Sequence, residues 1–266
     1  MTKGFASLIV SAYNRPHLLN QSLCHLRANT TYPYELIVHD DGSDRETQER
    51  LHGMLLLRDI STLILNPPGY NRGHGTSVNR AAHMAEGDYI VKLNGDECFR
   101  PGWLEEAVAV MERFPEVGLL HLAHYTVPTG KTLDGWPWDW PDADHWTLHR
   151  ESRDGHALRV VWTGPGCAFM ARREAWIPWR SNRDPSFSED VTFRAAVCPM
   201  MRLPAWCNSK THPEPKDLEA HWRAYHATPW LAVLDPPLVS YHWGEGKSLM
   251  PEARGTLHDT PWMVNG

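Results

Sequence analysis

No apolar run in this sequence approaches the roughly 20 residues of a membrane-spanning helix, so no integral membrane association is expected. The apolar stretch from Phe5 to Val10 is too short for a signal peptide and is ended by Asn14-Arg15-Pro16. Cysteine is scarce: residues 24, 98, 167, 198 and 207 form no Cys-x-x-Cys pair and no even framework. Reduced thiols in a cytoplasmic setting are therefore expected. Basic excess is missing too. The net charge of −6 gives no general pull on nucleic acid or anionic lipid. Residues 147–225 are locally basic, with 12 Lys+Arg against 9 Asp+Glu, so a local polyanion contact stays open there. There is no Gly-Lys-Ser/Thr phosphate loop, no internal repeat and no low-complexity tail.

What is present is a core-forming composition, 42% hydrophobic over 266 residues, enough for one large domain or two small ones. Short buried strands are expected at 5–13, 34–38, 62–65 and 89–93, each apolar run being too short for a helix and bounded by turn formers. Helices are expected at 17–27, from residue 44, at 76–85 and at 101–114, with Pro16 and Pro101 at the first turns. A further strand is read at 117–123. Strand–helix repetition of this kind implies an α/β fold with a mostly parallel, right-handed central sheet flanked by helices. The regularity stops after residue 124. Residues 126–147, rich in Pro, Gly, Asp and Trp, read as a long loop. Strands are read at 157–162, 167–170 and 238–241, and helices at 172–179, 188–197 and 217–226. The organisation is thus a single domain of two halves, 1–124 and 125–248, with a tail at 249–266.

The strand Tyr89–Leu93 runs into Asn94-Gly95-Asp96, and ligands of open α/β sheets sit at the carboxyl ends of strands. Asp96 there suits a divalent cation, with a diphosphate supplying further oxygens; the alternative is an ordinary Asn-Gly turn. Two other strand ends, Ser11-Ala12-Tyr13-Asn14 and Asp40-Asp41-Gly42-Ser43, open on the same edge. A carboxylate at Asp41 can accept the N–H of a pyrimidine base, or can serve only a turn in which Ser43 or Asp44 caps the next helix. Glycines at 69–75 before a helix let backbone N–H groups approach an anion, and Arg72 could reach a diphosphate. Glu189 and Asp190 follow Ser188 in a first helical turn, as a dipole-favoured cap or as a general base. His242 stands where a closing loop could ligate the metal, and Lys247 where it could pair with phosphate. Trp136, Trp138 and Trp140, interleaved with acids, suit stacking on sugars or a hydrophobic plug.

In their order and spacing, the segments from Ser7 to Arg15, Glu35 to Ser43, Asn79 to Val91, Asn94-Gly95-Asp96, Pro101 to Glu105, Thr163 to Gly166, Glu189-Asp190 and His242 resemble the family 2 glycosyltransferases of GT-A fold, over roughly residues 5–248. The resemblance implies a nucleotide-sugar, favouring uridine diphosphate (UDP) as its nucleotide, with Mn2+ or Mg2+ as cofactor and inversion at the anomeric carbon. It puts Ser11 and Asp41 at the uracil, with Tyr13, Asn14, Arg72, Asn94, Gly164 and Lys247 as further donor contacts. Asp96 and His242 become metal ligands, and Asp190, with Glu189 beside it, the catalytic base. Residues 1–124 become the nucleotide-sugar half and 125–248 the acceptor and catalytic half, with Trp136, Trp138 and Trp140 on the acceptor side. The acceptor stays open among glycan, protein and modified nucleic-acid base. The family's first Asp of Asp-x-Asp is Asn94 here, which weakens the metal site. The alternatives are a catalytically weak module that binds nucleotide-sugar or glycan, and a nucleotidyltransferase.

Overall fold

A computed structural model of the chain describes residues 4–126, 147–161, 168–176, 197–198, 230–234 and 238–241. The first half is laid down as β1 (Ala6–Ala12), α1 (Pro16–Asn29), β2 (Tyr34–Asp40), α2 (Arg45–Leu56), β3 (Thr62–Leu65), α3 (His74–His83) and β4 (Tyr89–Leu93). Then follow β5 (Glu97–Phe99), α4 (Trp103–Arg113), β6 (Val117–His121) and β7 (Ala123–Thr126). The described remainder holds β8 (Thr147–Arg153), β9 (His156–Val161), β10 (Phe169–Arg172), a short 3-10 turn Arg173–Ala175, β11 (Trp230–Leu234) and β12 (Val239–Tyr241).

Among the described residues, nine strands form one sheet in the order β3-β2-β1-β4-β10-β6-β11-β9-β8, and β5-β12-β7 form a second. Parallel pairing joins β3, β2, β1 and β4. Both faces of these strands are covered, so they read as continuous apolar runs. In β1, Leu8 and Val10 pack into one core with Leu19, Leu23, Trp103 and Met111. The intervening Ile9 packs into the other core, with Val78 and Ala81 of α3. Pro16 opens α1 without needing an N–H partner. The apolar face of α4 buries Trp103, Leu104, Ala107, Val108 and Met111. Trp103 satisfies its indole N–H on Thr30 Oγ1 at 2.7 Å.

The mostly parallel arrangement expected from the sequence describes the β3-β2-β1-β4 portion. Beyond β4 the sheet is mixed: β10 runs antiparallel to β4 and β6, β11 parallel to β6, and β9 antiparallel to β11 and β8. The single strand expected at 117–123 is two strands in different sheets. They part at Leu122, whose N–H goes to Ala168 O and whose carbonyl accepts from Leu238 N. The helix expected at 172–179 is, in its described part, the tail of β10 and one 3-10 turn. Three strands escape the sequence reading: β5 is too short, β8 too polar, and β11, although Pro229 precedes it and Asp235-Pro236-Pro237 follow it, is a five-residue run beyond a polar stretch that carries no regular period. Among the described residues no helix is long and apolar enough to cross a membrane.

Candidate functional site

The carboxyl ends of β2, β1 and β4 lie side by side. Ala12 pairs with Asp40 and Val10 with Leu93, so the polar turns that follow open on one edge. After β1 the backbone is left-handed at both Asn14 and Arg15, with φ of 54° and 56°. Such values are uncommon outside glycine and cluster at functional sites. They are held by cross-links to the β2 turn. The Asn14 N–H donates to Ser43 Oγ at 2.7 Å, and Asn14 Oδ1 accepts the Asp44 N–H at 2.9 Å.

The two acids after β2 have separate tasks. Asp40, fully buried, accepts the hydroxyl and the N–H of Ser43 and the amide of Gln48. Ser43 is thereby committed to this network, and the cap of α2 falls to Asp44, which accepts the Thr47 N–H at 2.8 Å. Asp41 gathers the glycine-rich loop. Its Oδ1 accepts Arg72 N and Asn66 Nδ2, and its Oδ2 accepts Gly73 N, all at 2.8 Å. The loop lies so close that a Cβ on Gly42, whose φ is +84°, would meet Tyr70 N at 2.7 Å. Arg80 of α3 closes the chain by donating to Asn66 Oδ1 at 2.8 Å. The Arg72 guanidinium stacks on the Tyr70 ring, 5.2 Å from its centroid, and bonds its hydroxyl. Arg72 and Tyr70 are both exposed at the mouth of this edge.

The turn after β4 is built differently. Glu97, 1% exposed, folds its carboxylate back under the turn. It accepts the N–H of Asn94 at 2.6 Å and of Gly95 at 2.8 Å, with Asp96 N at 3.3 Å. Gly95 sits at φ +85°, where a side chain is strained and a Cβ would lie 3.0 Å from Leu19. With the turn secured by Glu97, Asp96 is left over. It is 8% exposed, its Oδ1 is buried without a hydrogen-bond partner, and Arg15 Nη1 stands 3.9 Å from its Oδ2. Burial, and then the neighbouring Glu97 charge, push the Asp96 carboxyl well above its ordinary range, against the pull of Arg15 and Lys92. Glu97 is also raised by burial, but three N–H groups hold its charge. Lys92 of β4, 1% exposed, donates to Asn94 Oδ1 and lies 5.8 Å from the Phe169 ring centroid.

A buried, unpartnered carboxylate oxygen with a raised pKa is what one ligand of a hard divalent cation looks like before the ion arrives. Asp96 fits that role. Among the described residues no group of three His, Cys, Asp or Glu gathers to hold a metal, and His242 lies outside them. The structure therefore brings together Ser11, Tyr13, Asn14, Asp41, Arg72, Asn94 and Asp96 at the ends of β1, β2 and β4 and in the loop after β3. Trp136, Trp138, Trp140, Gly164, Glu189, Asp190, His242 and Lys247 lie outside the described residues. A groove of about 460 Å³ lined by Ile64, Thr76, Asn79, Arg80, His83 and Met84 runs along α3 and the edge strand β3, and it meets these networks through Arg80 and through Thr76, whose hydroxyl donates to Arg72 O at 3.1 Å.

Sequence reasoning missed Lys92, Glu97, Asn66 and Arg80. One signal was available for Lys92: a charge in the middle of a strand read as buried almost always has a partner. Glu97 next to Asp96 carried no such mark, because its role depends on the turn closing over it.

The model of the family described as "Glycosyl transferase family 2" matches residues 7–201. An uncharacterized glycosyltransferase of Haemophilus influenzae is 30% identical over 107 residues, 40% of this chain and 32% of that protein. The hyaluronan synthase of Pasteurella multocida is 31% identical over 104 residues, 39% of this chain and 10% of that protein. The chain spans about a third of the length of the Haemophilus relatives it matches. Among solved structures, S. aureus TarS 1–349 in complex with UDP-GlcNAc superposes with a TM-score of 0.53 at 18% identity, covering 91% of this chain and 59% of that one. Since the family model spans well over half of the sequence, from β1 past β10, the chain belongs to glycosyl transferase family 2.

Proposed function

We propose that the chain transfers a single sugar from a nucleotide-sugar, with UDP as the favoured nucleotide, to an acceptor hydroxyl with inversion. The observation that carries the reading is the buried, unpartnered Asp96 Oδ1 beside Asn94 at the edge where β1, β2 and β4 end. Ligands of open α/β sheets bind at this edge. A TarS structure of the same fold holds UDP-GlcNAc. In this reading Arg72 and the N-terminus of α3 meet the phosphates. The base is read at Ser11 and at the lone pair of Asp41 Oδ2 that Gly73 leaves free, with Tyr13 and Asn14 beside it. Asp190, next to Glu189, takes the proton of the acceptor hydroxyl as the oxygen attacks the anomeric carbon. Gly164 and Lys247 complete the diphosphate side, and Trp136, Trp138 and Trp140 stack on the acceptor. A Mn2+ or Mg2+ ion held by Asp96 and His242 would neutralise charge on the departing diphosphate.

Thermal shift with a panel of nucleotide-sugars, with and without Mn2+, tests the binding half of this reading. A transfer assay on Asp190→Asn tests the chemistry. Nucleotide binding close to wild type with transfer abolished is expected, and full transfer by the variant removes Asp190 from the base role. A second reading, a module that binds nucleotide-sugar without turnover, is favoured by Asn94, which supplies no charge to a metal. UDP binding without donor hydrolysis or transfer would select it.

A further inference from the structure

Lys92 is an unusual occupant of β4. Its neighbours in register are Ile9 of β1 and Phe169 of β10. Its ammonium is fully buried and donates to Asn94 Oδ1. An ammonium has only hydrogens to offer. The Asn94 side chain must therefore turn its carbonyl to Lys92, and its NH2 group is left for whatever occupies the strand-end edge. The main-chain side of Asn94 is already committed, through its N–H to Glu97. Asn94 is only half-buried, and no described residue takes the NH2 group.

The charges around this turn add a second line. Lys92 and Arg15 supply two cations, and Asp96 and Glu97 two carboxylates. Counted over these four described side chains, the cluster with Asn at 94 is neutral. With Asp, the residue expected there from the motif, it would carry one net negative charge facing a polyanionic ligand. The amide also changes hydrogen-bond polarity: a carboxylate at 94 could only accept, whereas the held amide has its NH2 group to donate outward.

We propose that Lys92 and Asn94 act as one unit that presents an N–H donor, backed by a buried cation, to a phosphate or ribose oxygen of the nucleoside diphosphate, so that this chain holds the diphosphate with little help from a divalent ion. The inference rests on the reading under Proposed function that a nucleoside diphosphate occupies this edge. Asn94 is the contacting residue, and Lys92 a positioning residue behind it. The pair accounts for the departure from Asp-x-Asp without making the site defective.

The test is isothermal titration of the full chain with UDP, in EDTA and in Mn2+, for wild type, Asn94→Asp and Lys92→Met. Wild type is expected to bind UDP with affinities within about tenfold in the two conditions, roughly 1.4 kcal/mol. Asn94→Asp is expected to lose about tenfold or more in EDTA and to recover it in Mn2+. Lys92→Met, with its amide free to rotate, is expected to weaken in EDTA while keeping the wild-type unfolding temperature or exceeding it. Asn94→Asp is nearly isosteric and decides the matter alone if Lys92→Met does not fold. Equal metal dependence in wild type and Asn94→Asp overturns the inference and leaves the proposed function standing. Absence of UDP binding by wild type in either condition overturns both. UDP binding with the expected metal pattern but no transfer supports the inference and selects the binding module over the enzyme.

Discussion

The turns that close β2 and β4 each carry two adjacent acids, Asp40-Asp41 and Asp96-Glu97. In the first turn every carboxylate oxygen already has a partner within the fold. Asp40 binds Ser43 and Gln48, and Asp41 binds Arg72 N, Gly73 N and Asn66. In the second turn one acid does all of that work. Glu97 collects the N–H groups of Asn94, Gly95 and Asp96, and Asp96 keeps a buried oxygen with no partner. Proximity of acids at a strand end is thus not itself a sign of chemistry. The sign is the acid left over once the backbone donors are counted. By that count Asp41 is first an organiser of the loop at 69–75, and Asp96 is the carboxylate with an oxygen that the fold leaves unpartnered.

The comparison breaks most visibly if organiser and leftover acids respond alike to removal. Glu97→Ala and Asp41→Ala each strand backbone N–H groups that had a charged acceptor, buried at Gly95 and Asp96 and part-buried at Asn94, Arg72 and Gly73. Hydrogen bonds to charged groups are worth about 1.5–3 kcal/mol each, so each variant should lose about 3 kcal/mol or more in urea unfolding. A loss below 1 kcal/mol in either, on the same scale, would mean that water replaces the carboxylate and that the turn does not depend on it.

Asp96→Asn should move the other way. The wild-type carboxyl is buried beside Glu97 with an orphaned oxygen, so the native state gains by losing that charge. A rise in stability of about 1 kcal/mol is expected, the size of a common stabilising substitution, together with loss of whatever gain in UDP affinity Mn2+ gives the wild type. Destabilisation with binding intact would reverse the roles assigned to Asp96 and Glu97.

Much of this edge was legible in the sequence because it depends on local pattern. The apolar run Tyr89–Leu93 ends in turn formers and yields β4 with the expected bounds, and β1, β2 and β3 follow from similar runs. Asp96 was reachable from position alone. The division of labour between Asp96 and Glu97 was not, since it depends on which way each side chain turns when Gly95 takes positive φ. The pairing of Lys92 with Asn94 needs knowledge that residues 92 and 94 share a face and that Phe169 of an antiparallel strand lies against the Lys92 ammonium. Antiparallel insertion of β10 between β4 and β6 joins segments some 50 to 80 residues apart, a distance over which periodicity carries no information. The strand β8 is polar along its length, and β11 is a five-residue apolar run without alternation; their bounding turns, Asp154-Gly155 after β8 and Pro229 and Asp235-Pro236-Pro237 around β11, were present but had no alternating pattern to frame.

A smaller effect sharpens the same contrast from behind the first turn. His39 precedes Asp40 in β2, opposite Ser11 and Ile64 on the neighbouring strands. It is fully buried with neither ring nitrogen hydrogen-bonded. Burial, and then the Arg80 charge, hold its pKa below the ordinary 6.5, against the opposing pull of Asp41 and Asp40. The folded protein thus keeps His39 neutral at a pH where the unfolded chain already takes up a proton. The unfolded state binds more protons in that window, so stability is full above about 6.5 and declines as the pH falls from there toward the folded pKa. One proton sets a ceiling of about 1.4 kcal/mol per pH unit on the slope. His39→Val, which fits the apolar face of β2, should flatten the decline measured by urea midpoints between pH 7.5 and 5.5. An unchanged slope would show that the Asp40 and Asp41 carboxylates compensate a charged His39, and that the first turn has more electrostatic slack than its filled hydrogen bonds imply.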